Sequence, residues 1–321
     1  MRVDAGKARP LGGSTGSEML VLIGIGVVLA AVAGGFLLEG GNLLVLLQPA
    51  EVLIIVGSAI GIMLAANPAA GVKRIVRGTL SVFRRSPYGP AFYESVLKML
   101  YELFSIGRRE GMPALETHIE DPDSSGVFAS YPEVTGDTAA LHFLCDSIRM
   151  ITTGVAKPGE LAHLMDLDME AQRKERRQPV SALSTLADSL PGLGIVAAVL
   201  GVVVTMQALG DAPEEVGRRV AAALVGTFLG ILLCYGVVGP LASHLDSRNE
   251  DRGHLLQCLY GGLHAFSRGA SPLLAAEFAR RSIPVELRPS FADMETTFRR
   301  EVKLPPLKAQ GVGVEAEQNA G

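Results

Sequence analysis

The sequence predicts an all-α, polytopic membrane protein with four transmembrane helices and a large helical cytoplasmic segment. The prediction rests on how charge is distributed. Of 321 residues, 19% are Asp, Glu, Lys or Arg, below the roughly 25% of ordinary soluble domains. The shortfall lies in four stretches, 19–38, 52–72, 189–210 and 220–245, which contain no such residue. Each is at least 20 residues long, and a 20-residue helix rises about 30 Å, the thickness of the hydrocarbon core. The runs are continuous in Leu, Ile, Val, Ala and Gly rather than alternating, so helices rather than barrel strands satisfy their backbone groups.

The elements follow in order. Residues 1–18 form a polar lead rich in Gly and Ser, and Met19 is a second candidate start. The first span, 19–38, exceeds the 7–15 apolar residues of a signal-peptide core and reads as retained. An outer loop, 39–51, holds only the acids Glu39 and Glu51. After the second span, 52–72, come Lys73, Arg74, Arg77, Arg84 and Arg85, with no acid before Glu94. Basic residues mark the inner side, so the segment 73–188 and both termini lie inside. The third span, 189–210, leads through an outer loop of mixed charge, 211–219, to the fourth, 220–245, and an inner tail, 246–321.

The inner segment reads as helical. Phe92, Val96, Met99 and Leu103 recur at helical spacing, as do Leu141, Leu144, Ile148 and Ile151, and Leu255, Leu259, Leu263 and Phe266 in the tail. Asp121-Pro122-Asp123-Ser124-Ser125-Gly126 is a turn signal.

Several chemistries are set aside. A net charge of −4 gives no reason to expect nucleic acid. Cys145, Cys234 and Cys258 are scattered, as are the six histidines, so neither a disulfide framework nor a metal site is expected. Gly12-Gly13-Ser14-Thr15-Gly16 fits a nucleophile elbow but lacks the preceding strand. Gly192-Leu193-Gly194-Ile195-Val196-Ala197 fits a dinucleotide fingerprint but lies inside a span. Its glycines, and those of 57–61 and 226–230, suit close helix packing.

Proton carriers normally hold an ionisable group within the bilayer, but these spans contain no Asp, Glu, Lys or Arg, and His244 sits only at an inner end. Their polar groups include Ser58, Thr205, Gln207, Thr227, Tyr235 and Ser243. Counted from the span ends, Thr205 and Thr227 fall at similar depth, as do Pro191 and Pro240. A hydroxyl there either faces an ion path or bonds back to its own helix. A proline either kinks the helix statically or frees a carbonyl for movement.

The layout resembles the MotA family of flagellar stator subunits, within the wider MotA/TolQ/ExbB proton-channel group. The residues that carry the resemblance are Gln48-Pro49-Ala50-Glu51, Phe128-Ala129-Ser130-Tyr131-Pro132, Asp188-Ser189-Leu190-Pro191 with Gly194–Val199, Val225–Leu233, and Arg288-Pro289-Ser290-Phe291. It covers roughly residues 19–300 and follows the long-segment MotA type rather than the shorter TolQ/ExbB type.

The resemblance implies an inner-membrane assembly in which five such chains surround two copies of a single-span, MotB-type subunit that supplies the essential transmembrane Asp. It implies that Thr227 lines the ion path and that Ala198 faces the same region, an alanine there favouring H+ over Na+. Thr205 joins them by its expected depth. Pro191 and Pro240 match prolines that couple protonation to movement. Arg108 and Glu116 match a charged pair that engages the rotor protein FliG, although Pro113 lies between them here. No organic cofactor is implied, and the product is torque rather than a catalysed reaction. Two other readings stay open: an ExbB/TolQ-like energiser of a periplasmic system, and a passive membrane scaffold.

Overall fold

The computed structural model describes residues 17–207, 210 and 212–302. Most of the expected lead, with its Gly12–Gly16 string, therefore lies outside the described residues, as do Asp211 and the tail from 303. Among the described residues there is no strand. The α-helices are α1 (Ser17–Leu38), α2 (Pro49–Ala66), α3 (Ala69–Ser81), α4 (Pro90–Arg109), α5 (Met112–Glu120), α6 (Gly126–Ala129), α7 (Pro132–Thr135), α8 (Thr138–Thr153), α9 (Pro158–Met206), α10 (Pro213–Leu233), α11 (Gly239–Ser267), α12 (Pro272–Arg281) and α13 (Phe291–Glu301). Four helical segments are long and apolar enough to cross a membrane: Met19–Leu38, Leu43–Ala66, Pro158–Met206 and Pro213–Ser267.

The chain divides into two compact units, Met1–Ser86 with Ala171–Arg252, and Pro87–Glu170 with Gly253–Gly321. The long helices α9 and α11 contribute residues to each.

The first unit contains the apolar helices, and several of their boundaries differ from the charge-free stretches. The stretch 52–72 is divided, because α2 ends at Ala66 and α3 begins at Ala69. Pro68 disfavours helical geometry at Asn67, which is extended at φ −131° and ψ 138°. The Asn67 side chain then donates to the Met63 carbonyl at 2.9 Å, capping the helix it ends. The stretch 211–219 is largely not a loop. Pro213 occupies the first turn of α10, with Glu214 and Glu215 at its positive end. Glu215 accepts from Arg218 at 2.8 Å and from Arg219 at 3.0 Å, so these charges form a helical turn. Likewise 39–51 contains a 3-10 turn, Leu43–Leu46, and the start of α2. The boundary at 188/189 interrupts nothing, for α9 runs through both Pro179 and Pro191.

Between α10 and α11 the helix widens into a π-helical turn, Cys234–Val238, closed by Gly239 N–H donating to the Cys234 carbonyl. Pro240, which has no N–H to give, follows at once, and such turns inside α-helices cluster at functional sites.

Large apolar side chains stay exposed along α1 (Leu20, Ile23, Val27), α2 (Leu53, Ile60) and α9 (Val199, Val203), as a lipid-facing surface requires. Against this, α9 and α10 meet backbone to backbone. A Cβ built on Gly194 would lie 2.6 Å from the Gly226 carbonyl oxygen, and one on Gly230 would lie 2.5 Å from the Leu190 carbonyl oxygen.

The second unit packs around α4, whose Tyr93, Leu97, Leu100, Leu103 and Phe104 are fully buried. Phe143, Leu144 and Ile148 of α8 join them, with Leu255, Leu259 and Leu263 of α11 and Ala275, Ala276 and Ala279 of α12. The stripes read from the sequence are therefore this core, although Leu141 and Ile151 sit half-buried at its edge. Phe128–Pro132 is structural. Phe128 is buried, and the Tyr131 hydroxyl donates to Glu102 Oε2 at 2.9 Å, while burial pushes the Glu102 carboxyl above its usual range. Asp137 caps α8, accepting from Ala140 N–H at 3.2 Å, and accepts from the Tyr88 hydroxyl at 2.9 Å.

The backbone contact is directly testable. Gly194→Ala forces α9 and α10 apart and costs about 1–3 kcal/mol, the usual penalty of overpacking. Gly192→Ala, where a Cβ meets nothing within 4 Å, leaves stability unchanged. Thermal unfolding of the two purified variants beside the parent compares them.

Candidate functional site

The residues singled out for ion transfer converge on the seam between α9 and α10. Small residues recur there because each presents backbone to the facing helix. Ala197 and Ala198 are buried, and a Cβ on Gly226 would meet Ala197 Cβ and the Ala198 nitrogen, each at 3.1 Å. Thr227 follows Gly226, and its Cα would lie 3.2 Å from a Cβ on Gly194. Ala198 and Thr227 thus border the same short length of seam. Thr227 is half-buried, and its hydroxyl makes no hydrogen bond among the described residues.

Thr205 does not join them. The helices run antiparallel, with Gly201 facing Ala223 and Ala197 facing Gly226. Thr205 stands eight residues beyond Ala197, roughly 12 Å along α9 at 1.5 Å per residue. Its hydroxyl donates to the Gly201 carbonyl at 2.8 Å, the self-bond that competes with any outward role. The expectation of equal depth failed because it counted the fourth span from residue 220, whereas α10 begins at Pro213. Pro191 and Pro240 are likewise not level. Pro191 follows Leu190, which packs on Gly230, and Pro240 lies ten residues beyond Gly230, past the π-helical turn.

One residue at the seam was missed. Glu51 was expected in the outer loop, yet it occupies the first turn of α2 and is 7% exposed. Its Oε1 would lie 3.1 Å from a Cβ on Gly201, and Oε2 abuts the position of a Cβ on Gly226. Either substitution would collide with the carboxyl. The signal was present: a proline at the first helical position with an acid two residues later marks a helix start.

Arg108 and Glu116 lie in the second unit. Gly107 and Leu115 touch so closely that a Cβ on Gly107 would sit 2.7 Å from Leu115 Cδ1. The next residue of each helix, Arg108 on α4 and Glu116 on α5, is exposed. The turn joining the helices uses Gly111 at φ +95°, which favours glycine, and places Pro113 within the first turn of α5. Pro113 therefore fits the turn that joins the two helices carrying these charges. They form no ion pair with each other among the described residues. Nearby, burial lowers the basicity of His118, whose Nδ1 lies 2.9 Å from Ser125 Oγ. Among the described residues no cluster of His, Cys, Asp and Glu could hold a metal ion.

Residues 22–111 match the family model of the motility protein A N-terminal region, and residues 137–257 that of the MotA/TolQ/ExbB proton channel family. Motility protein A of Escherichia coli is 40% identical, the match covering 89% of this chain and 97% of that protein. Motility protein A of Salmonella typhimurium is 39% identical, covering 88% and 95%. Chemotaxis protein LafT of Vibrio parahaemolyticus is 34% identical, covering 86% and 97%. In fold, the chain is similar to the flagellar MotAB stator complex of Bacillus subtilis, with a TM-score of 0.65, 24% identity and coverage of 86% and 98%. It is also similar to C. jejuni MotAB, with a TM-score of 0.69, 19% identity and coverage of 83% and 96%. The chain belongs to the motility protein A branch of the MotA/TolQ/ExbB proton channel family.

Proposed function

We propose that this chain is the sleeve of a proton-driven flagellar stator, assembled around a MotB-type subunit in the inner membrane. As a member of a channel family it is not an enzyme. The observation that carries the proposal is the α9–α10 seam, where Ala198 and Thr227 border the same apolar stretch and the facing positions, Ala197, Ala198 and Gly201 against Ala223 and Gly226, carry no charge. A proton crossing there needs a titratable group beside Thr227, and a MotB-type Asp supplies it. The alanine at 198 suits H+ rather than Na+ as the coupling ion.

Each part of the chain then has a task. The basic segment that follows α2 supports an arrangement with both termini inside. Moving one charge through 100 mV releases about 2.3 kcal/mol, enough to bias a step between two helix arrangements. Pro191, which has no N–H to give inside α9, and Pro240, after the π-helical turn, are the positions at which such a step bends the helices. Five copies around two partners convert repeated steps into rotation. Arg108 and Glu116, both exposed, transmit it to FliG. Exposed charges of this kind select and steer a partner more than they hold it.

The test is motility of a stator-deleted host given this chain with its cognate B subunit. Swimming without dependence on sodium supports the proposal, and failure of rescue favours an ExbB/TolQ-like energiser. In the rescued strain, Thr227→Ala and Pro191→Ala each slow rotation by about tenfold, as a barrier raised by about 1.4 kcal/mol does, while the complex still assembles. Unchanged torque in both removes the ion-path assignment. Reversing either Arg108 or Glu116 weakens rotor engagement by about 1 kcal/mol, typical of an exposed pair. The readout is stall torque, with membrane abundance unchanged.

A further inference from the structure

The carboxyl of Glu51 is the group that this account leaves without a task. It is 7% exposed at the first turn of α2. No solvent reaches Oε2, and Oε2 has no hydrogen-bond partner among the described residues. The side chain lies across the α9–α10 seam, meeting Gly201 on one helix and Gly226 on the other. We propose that Glu51 is a second proton-binding carboxyl of the ion path, contributed by this chain itself and gated by the seam it wedges. The proposal rests on the proton-channel reading above.

Three observations select a proton as the ligand. First, an ionised carboxylate buried without a partner carries a large desolvation cost, so the group holds either a proton or a cation. Secondly, no cationic partner pairs with it among the described residues. The facing positions on α9 are Ala197, Ala198 and Gly201, and those on α10 are Ala223 and Gly226. The nearest cation along α10, Arg219, lies one turn from Ala223 and binds Glu215 at 3.0 Å. Thirdly, Oε2 is sealed by this chain's own atoms, so a partner subunit's side chain does not reach it. A hard metal ion is excluded by the same enclosure, since it gathers about six or more oxygen ligands. Here the neighbours are two glycines and alanine methyls, and the Thr205 hydroxyl is committed to the Gly201 carbonyl at 2.8 Å.

The exchange itself is simple. A proton adds to a carboxylate oxygen and gives the neutral acid. It departs toward Thr227, the residue after the Gly226 that Oε2 meets, and leaves the carboxylate to be reloaded. Because Oε2 is sealed, transfer between that oxygen and Thr227 waits until α9 and α10 loosen. Proton passage across the seam is thereby tied to the same helix movement that would generate the step.

Glu51→Gln tests this, because it preserves shape and hydrogen-bonding capacity but cannot exchange a proton. The protein is the full chain with its B subunit in a stator-deleted host, and rotation at low load is followed against external pH beside Thr227→Ala. The expected result is assembly at the parental level and speed reduced by about tenfold or more, as loss of a proton-transfer group does. The residual speed also loses the parental dependence on external pH, and Glu51→Asp recovers part of both. A Glu51→Gln motor with parental speed and pH profile overturns the proposal. So does Glu51→Gln failing to assemble, which would make the carboxyl structural. The underlying reading fails separately: if the unaltered pair does not rotate the motor, or if Thr227→Ala is silent, the ion path lies elsewhere.

Discussion

The contact on which the membrane unit depends is the meeting of α9 and α10 through glycine. Gly194 faces Gly226 and Gly230, and Gly201 faces Ala223, at distances that leave no room for a Cβ. Lipid tails are as apolar as leucine, so helices in a bilayer gain little from burying apolar side chains against each other. Close backbone approach and dispersion hold them instead. The consequence reaches the site directly. With no side chain between the helices, the backbone fixes where Ala198 and Thr227 stand, and the gap left by Gly201 and Gly226 is where the Glu51 carboxyl lies.

The same seam explains why the chain looks incomplete as a channel. Among the described residues the acid that meets it is Glu51, at the first turn of α2, and Thr227 has no titratable neighbour of its own in the contacts that define its place. A hydroxyl can relay a proton, but something beside it must hold one. A single-span partner bringing an Asp fits that requirement, and the exposed apolar faces of α1, α2 and α9 leave surface for both lipid and neighbouring subunits. The second unit meets a different demand. Its core of α4, α8, α11 and α12 is ordinary soluble packing, which gives the α4–α5 turn a firm base from which to present Arg108 and Glu116.

Much of this was legible in the sequence. Absence of charge over 20 or more residues is a bulk property that the bilayer enforces, so four apolar crossings could be counted. The stripes Phe92 to Leu103 and Leu255 to Phe266 could be read because soluble packing repeats at helical period. What charge could not locate was where helices start and stop. Pro49, Pro68 and Pro213 set those limits, and they act through backbone geometry rather than polarity. Counting depth from charge therefore misplaced the fourth helix by seven residues, from 220 to Pro213. It matched Thr205 wrongly with Thr227 and put Glu51 in a loop. The π-helical turn before Pro240 was equally hidden, since a proline announces a missing donor but not which way the helix absorbs it. The roles given to Thr227, Ala198, Pro191, Pro240, Arg108 and Glu116 came through resemblance. The geometry adds that Ala198 and Thr227 border the same stretch of the α9–α10 seam, and that Arg108 and Glu116 are exposed next to the Gly107–Leu115 contact.

The central claim is that this chain forms the wall of a proton path whose essential acid belongs to another subunit. Proton flux into liposomes under an imposed membrane potential tests it most directly, with the purified chain reconstituted alone and with its B subunit. The account predicts no flux above empty liposomes for the chain alone, and flux that depends on the B subunit's transmembrane Asp for the pair. Sustained flux through the chain alone would contradict it.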